Sequence, residues 1–308
     1  MAHSARQVNT QSIPAADYAL IGGSGTWGAR FPEDLQLDDV TLVEVYEEGF
    51  ETPYGRSAPF KLLNIAGKPV WRVAMHGMWT APAMRGESRP TPPWIAAKQT
   101  SWLMEQAGVK WALVEGSVGG IQSPSQAGAP LPPWSVVIST DFMLLWRPHD
   151  DQPYVPGRPG SARLNDPFCP ILRGALTKAA RNEPKFSVYE HGVYITTPWL
   201  RFETVAEIQA MAQMGAHVVG HTLGHEVPLW RRLGIRVASL NIVSNHAEGY
   251  HGWSGDSTDS MADFYHTCPH HVGPVMINAF KEIIEAGIEP PYDPSRLGGL
   301  GQFPVPGA

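Results

Sequence analysis

Phe202-Glu203-Thr204-Val205-Ala206-Glu207, followed by Gly215-Ala216-His217-Val218-Val219-Gly220 and by the apolar run from Leu240 to Asn245, is the stretch that decides the reading of this chain. Thr204 and Glu207 have the Thr-x-x-Glu spacing of a capping box, and Val205, Ile208, Met211 and Ala212 then recur at helical spacing. A helix is therefore expected to start at Thr204, leaving Phe202 and Glu203 in the loop before it. Glu207 is accounted for as a cap. Glu203 precedes the cap and is not explained by it. Loops at the carboxyl edge of an α/β sheet are where ligands bind, so a ring, a carboxylate and a strand-end amide at Asn245 make a kit for holding a flat heterocycle.

The same alternation of strand and helix extends outward along the chain. Strands are expected at Tyr18 to Ile21, Thr41 to Val45, Phe60 to Ile65, Val70 to Ala74, Trp111 to Val114, Val136 to Ser139, Val193 to Thr196, His217 to Val219 and Val237 to Ile242. Helical spacing is clearest at Trp94 to Ala107, Ile171 to Asn182, Thr204 to Met214, Glu226 to Leu233 and Val275 to Ala286. Interleaving of this kind predicts a single-domain α/β protein, three layers deep, with a mixed, largely parallel central sheet. Three segments read as irregular loops: Thr80 to Pro93, Pro148 to Pro167 and Gly249 to Thr267. The last is rich in His, Trp, Tyr and Asp.

Composition narrows the function class. A net charge of -6 argues against a nucleic-acid binder, which would carry a basic face. No long uncharged apolar run suggests a membrane span, no signal peptide is evident, and two cysteines cannot make a disulfide framework, so a cytoplasmic protein is expected. His221 and His225 are four apart, but they lack the His-Glu-x-x-His order of a zinc helix, and Gly220 and Gly224 suggest a turn there. A set drawn from His246, His251, Asp256, His266, Cys268, His270 and His271 matches no metal spacing. No metal is expected.

Two glycine-rich segments suit an anion. Gly22-Gly23-Ser24-Gly25 follows the first strand, and Glu115-Gly116-Ser117-Val118-Gly119-Gly120, read as a turn, follows the strand at Trp111. Exposed amides beside a hydroxyl can cradle a phosphate, although either segment could be a plain chain reversal.

Taken in order, Ile21 to Gly25, Thr52-Pro53-Tyr54-Gly55, His76-Gly77, Gly116 to Gly120, Pro133 to Val137, Phe202 to Glu207 and Gly215 to Glu226 resemble the trimeric purine nucleoside phosphorylase and methylthioadenosine phosphorylase family. The resemblance runs from about Tyr18 to Ala286. It implies an extension over 1-17, a nucleoside phosphorylase-like domain over 18-289 and a Pro/Gly-rich tail over 290-308. It also implies a homotrimer or a dimer of trimers, and a purine nucleoside and phosphate as the small molecules bound, with phosphate as co-substrate and no cofactor.

Residue by residue, the resemblance assigns phosphate contacts to Ser24, His76, Ser117 and Thr222. Phe202 would stack on the purine and Tyr194 would lie against the ribose. His221 stands where relatives usually carry a methionine beneath the sugar. Glu203 and Asn245 resemble the pair that grips a 6-oxopurine, where the methylthioadenosine branch typically has serine and aspartate. That branch places a second aspartate at the position of Ala247, and His246 is the alternative proton donor here. Met75 replaces the arginine of the family's Arg-His-Gly motif, a loss of the natural bidentate phosphate holder. Either Arg85 or Arg89 folds back to supply the charge and a phosphorylase is kept, or the anion site is weakened and water or another acceptor serves, making a nucleoside hydrolase, a specialised transferase or a non-catalytic nucleoside binder.

Overall fold

The computed structural model describes residues 12–74, 78, 83, 85–146, 164–249 and 258–288. The segment around Met75, His76 and Gly77, residues 147–163 and 250–257, and most of the terminal extension and tail lie outside the described residues.

Thirteen strands and five helices are described. The strands are β1 (Tyr18–Gly22), β2 (Val40–Tyr46), β3 (Glu51–Thr52), β4 (Gly55–Arg56), β5 (Phe60–Ile65), β6 (Lys68–Val73), β7 (Trp111–Gly120), β8 (Ser135–Ile138), β9 (Asp141–Leu144), β10 (Ser187–Tyr189), β11 (Val193–Thr196), β12 (Val218–Gly220) and β13 (Arg236–His246). The helices are α1 (Pro93–Ala107), α2 (Pro170–Arg181), α3 (Val205–Gln213), α4 (Leu223–Arg232) and α5 (Thr258–Glu285), and a short 3-10 turn spans Ser24–Thr26.

The main path of the sheet runs β10-β8-β13-β7-β1-β6-β5-β2, with β9, β11 and β12 branching from β7. Strands β6, β1, β7 and β13 are mutually parallel, whereas β5, β2 and β8 pair antiparallel. This is the mixed sheet expected from the alternation of elements.

All five residues of β1 are buried, as befits a strand covered on both faces. Tyr18 and Leu20 point into one core with Leu172, Leu176, Val272 and Phe280, from α2 and α5. Ala19 and Ile21 point into another with Leu103, Met104, Val227 and Trp230, from α1 and α4. Two-residue alternation along one strand thus assigns α2 and α5 to one face and α1 and α4 to the other, giving the three layers. A third, smaller core forms where Ile208 of α3 meets Ile121, Ile195, Val219 and Ala247.

The helix ends follow local chemistry. Pro93 opens α1 at its first position, and Gly108 closes it with φ of 77°, a left-handed geometry that costs glycine little. Thr204 caps α3 by accepting from the Glu207 amide, and the Glu207 carboxylate accepts from the Thr204 amide, completing the expected capping box.

Three segments differ from the sequence expectation. Glu115 to Gly120 is no turn but the second half of the ten-residue strand β7. Helix α4 begins at Leu223 and includes Gly224, so His225 is helical. The segment expected as an irregular loop to Thr267 is helical from Thr258, because α5 runs 28 residues and tolerates Pro269 and Pro274 within it. No helix among the described residues is long and apolar enough to cross a membrane.

Candidate active site

The carboxyl ends of β7, β11, β12 and β13 converge on a cavity of about 410 Å³. Its walls include Ser24, Ser117, Thr222, Tyr194, Phe202, Glu203, His221 and Asn245, so eight of the residues singled out in the sequence share one space. Trp27, Met78, Trp199, Arg201, Met261 and Tyr265 complete other parts of the wall.

The α3 cap sets up one side. Arg201 donates to both oxygens of Glu207 at 2.7 and 2.8 Å and to the Phe202 carbonyl at 3.0 Å, fixing the loop ahead of the helix. With Arg201 and the Thr204 amide both donating, Glu207 is held down at a pKa of about 2. The two residues between them then face different surroundings. Phe202 keeps 59% of its surface exposed, whereas Glu203 keeps only 8%. A stacking ring can stay open to solvent, but a buried carboxylate needs a donor. Thr197 supplies it, donating from Oγ1 to Glu203 Oε1, while His221 Nδ1 lies 3.2 Å from the same hydroxyl.

Asn245 reaches the cavity through an irregularity in the ladder. Strand β13 pairs with β7 from Arg236↔Trp111 to His246↔Gly120, with a register shift between Val243 and Asn245. Such bulges re-aim side chains near functional sites. The Asn245 oxygen accepts from Ser244 Oγ at 2.7 Å, and its Nδ2 donates to the His246 carbonyl at 2.9 Å. Among the described residues the second amide hydrogen has no partner, which leaves one donor for a ligand. His246 itself contributes no wall to the cavity, and Ala247 is buried in the small core under α3.

On the other side stand hydroxyls. Ser24 Oγ hydrogen-bonds Ser117 Oγ, and Tyr265 Oη lies 3.1 Å from Ser117 Oγ. Thr222 precedes α4, and its amide donates to the buried Tyr194 hydroxyl at 3.3 Å. Burial pushes Tyr194 up to about 12, against the pull of Thr222, so it stays a neutral phenol.

Apart from Arg201, the described guanidinium groups stand elsewhere. Arg85 is exposed and paired with Glu87 at 2.6 Å, Arg89 is also exposed, and neither lines the cavity. Arg72 lies beneath the first glycine segment, where it donates to Thr26 Oγ1 at 2.6 Å and to the Val73 carbonyl. Thr26 in turn donates to Glu115 Oε1 at 2.5 Å. Burial brings Arg72 down to about 10 while Glu115 opposes the shift, and it faces a separate small space rather than the main cavity. Among the described residues, Arg201 is the only guanidinium in the cavity wall, and Glu207 already holds it.

Below Trp199 lies an aromatic group. Trp94 contacts Trp146, Trp199 and His225 with ring centroids 5.6, 6.3 and 6.0 Å apart. Burial, helped by His221, brings His225 down to about 4. Among the described residues no group of three or more His, Cys, Asp or Glu side chains could hold a metal. His251 and Asp256 lie outside the described residues, and His271 is engaged with Glu183 at 3.1 Å.

One contributor escapes the sequence reading, and a second stands in a segment read there as a chemistry-rich loop. Thr197 follows β11 in a Thr-Thr-Pro run that carries no motif. Tyr265 sits on the part of α5 expected to be loop.

This arrangement, a mixed sheet with a ligand cavity at its strand ends, defines a nucleoside phosphorylase-type α/β fold. A methylthioadenosine phosphorylase from an antarctic soil metagenomic library superposes with a TM-score of 0.73 at 23% identity, covering 92% of this chain and 91% of that one. A family model for the Phosphorylase superfamily matches residues 17–271. The chain belongs to that superfamily of enzymes. It is 32% identical over 238 residues to a probable 6-oxopurine nucleoside phosphorylase of Thermococcus kodakarensis, covering 75% of this chain and 79% of the relative. It is 33% identical over 244 residues to a probable S-methyl-5'-thioinosine phosphorylase of Xylella fastidiosa, covering 75% and 88%. An S-methyl-5'-thioadenosine phosphorylase of Thermococcus kodakarensis is similar at 29% identity over 244 residues, covering 79% and 82%.

Proposed function

We propose that this protein is a pentosyltransferase of the purine nucleoside phosphorylase type. It cleaves the N-glycosidic bond of a purine nucleoside, deoxynucleoside or 5′-modified purine nucleoside with phosphate. The products are the free base and a ribose 1-phosphate derivative. The observation carrying this reading is that Phe202, Glu203 and Asn245 share one cavity with Ser24, Ser117 and Thr222. One set suits a planar base and the other an oxyanion, and glycosyl transfer to phosphate needs both.

The chemistry follows from the residue types. Breaking the bond puts positive charge on the sugar and negative charge on the departing purine. Phe202 stacks on the base, Glu203 accepts from N1–H of a 6-oxopurine, and Asn245 donates to N7 or O6 as the base leaves. Phosphate, held by Ser24, Ser117, Thr222 and His76, attacks C1 and stabilises the cationic ribosyl group, with Tyr194 and His221 against the sugar. Asn245 favours a 6-oxo over a 6-amino base, since an aspartate there would suit an exocyclic amine. The names of two relatives, a 6-oxopurine and a thioinosine phosphorylase, support the same preference. A homotrimer, or a dimer of trimers, in the cytoplasm completes the proposal.

A second reading is favoured by the placement of Arg85 and Arg201, each engaged by a glutamate. A weakened anion site would admit water or another acceptor in place of phosphate, giving a nucleoside hydrolase or a specialised transferase. The test is a substrate panel of inosine, guanosine, adenosine and their 5′-methylthio forms, run with and without phosphate. Base release that requires phosphate and yields ribose 1-phosphate supports the first reading. Release without phosphate supports the second, and binding without release under either condition overturns both.

A further inference from the structure

Helix α5 is pressed unusually close to the turn after β1. A Cβ placed on Gly28 would lie 1.9 Å from the Tyr265 carbonyl oxygen, so only glycine permits this approach. Phe264, buried beside Tyr265, anchors the same turn of the helix against Trp134, with ring centroids 4.7 Å apart. The Trp27 ring meets the Tyr265 ring edge-on at 6.3 Å. These contacts aim the phenol into the cavity, where its oxygen lies 3.1 Å from Ser117 Oγ.

Ser24, Ser117 and Tyr265 therefore form a row of three hydroxyls contributed by β1's loop, β7 and α5. Each has one rotatable hydrogen, so all three can turn their donors toward one oxyanion. The described guanidinium groups near this row are committed, Arg72 to Thr26 and Val73 and Arg201 to Glu207. Apolar packing holds the tyrosine ring, but it does not require the hydroxyl to end at the serines.

We propose that Tyr265 is a further acceptor-binding residue, donating its phenolic hydrogen to the phosphate that Ser24 and Ser117 also contact. This inference deepens the phosphorolysis reading and rests on it. It assigns part of the work of the guanidinium lost at Met75 to a neutral donor carried by the C-terminal helix. Charge-assisted hydrogen bonds of this type are strong enough for their loss to be read in affinity.

The experiment is calorimetric titration of inorganic phosphate into the full-length protein and its Tyr265→Phe variant, with unfolding midpoints measured alongside. Phenylalanine keeps the ring and its packing. The phosphate dissociation constant should rise about tenfold, equivalent to about 1.4 kcal/mol, with the midpoint unchanged. The KM for phosphate should rise by the same factor, with the nucleoside KM constant. An unchanged phosphate affinity in the variant, with the parent binding phosphate, overturns the role of Tyr265 and leaves phosphorolysis intact. Loss of affinity accompanied by a lower midpoint identifies a structural tyrosine and overturns the role as well. A parent protein that binds no phosphate overturns both this inference and the phosphorolysis reading.

Discussion

The two sides of the cavity are built in different ways. On the proposed reading the base side is local apart from Asn245: Arg201, Phe202, Glu203 and the Thr204–Glu207 cap lie within seven residues, and Thr197 is only six residues from Glu203. The acceptor side is assembled over distance, with Ser24 and Ser117 separated by 93 positions and Ser117 and Tyr265 by 148. The base side also holds its carboxylate in a buried, hydrogen-bonded state, whereas the acceptor side relies on neutral hydroxyls. If the proposed roles hold, base recognition depends on a short segment plus Asn245, and acceptor recognition on how the sheet and α5 come together.

That contrast can be broken most directly at Glu203. Glu203→Ala should lower kcat/KM for 6-oxopurine nucleosides about a hundredfold, by loss of a charged hydrogen-bond acceptor, while the KM for phosphate stays constant. Steady-state kinetics with each substrate varied in turn check this. A matching rise in the phosphate KM would mean that the two sides are coupled rather than separate.

Asn245→Asp sharpens the comparison within the base side. The ratio of efficiencies for 6-oxo over 6-amino substrates should fall about thirtyfold, as a donor to O6 becomes an acceptor suited to an exocyclic amine. Paired assays on inosine and adenosine give that ratio. An unchanged ratio removes Asn245 from base recognition.

Helix α4 joins the two sides, since Thr222 and His221 precede it and His225 lies within its first turn. His225 has a folded pKa of about 4, below its ordinary 6.5, so the unfolded chain binds more protons between these values. Its neutral form is fully compatible with folding above pH 6.5, and stability falls as pH drops toward 4, by on the order of 3 kcal/mol. Denaturant unfolding across that window should show the decline, and His225→Gln should flatten it relative to the parent.

The smallest expected effect tests Thr197. Thr197→Val removes the donor to Glu203 while keeping the side chain's shape, and kcat/KM should fall about tenfold as the carboxylate loses its partner. If Thr197 holds only the backbone at Gly220, kinetics will match the parent and the unfolding midpoint alone will drop.

Legibility in the sequence tracks the same division. The capping box at Thr204 was readable because four consecutive residues carry both of its hydrogen bonds. The buried strands at Tyr18, Trp111 and Val237 were readable because central parallel strands are apolar on both faces. Glu115 to Gly120 looked like a turn since glycine has little strand preference, and only pairing with β13 and β12 makes it a strand. The first half of α5 was obscured by its polar and aromatic mixture and by Pro269 and Pro274. The short strands β9 and β10 carry too few residues to show a period. Tyr265 joins the cavity wall, and Thr197 reaches Glu203, only through contacts that no spacing rule encodes. Arg85 and Arg89 drew attention as charges, but charge in a sequence does not indicate direction.

The long ladder between β7 and β13 also acts as a ruler. Both strands present cavity residues near their far ends, Ser117 on one and Asn245 on the other, measured from the common start at Trp111 and Arg236. With β7 held in place, a slip of β13 by one residue would put Ser244 where Asn245 stands and turn the β13 side chains to the opposite faces, while Ser117 kept its position. If Asn245 reads the base as proposed, selectivity here is partly a matter of counting along one ladder.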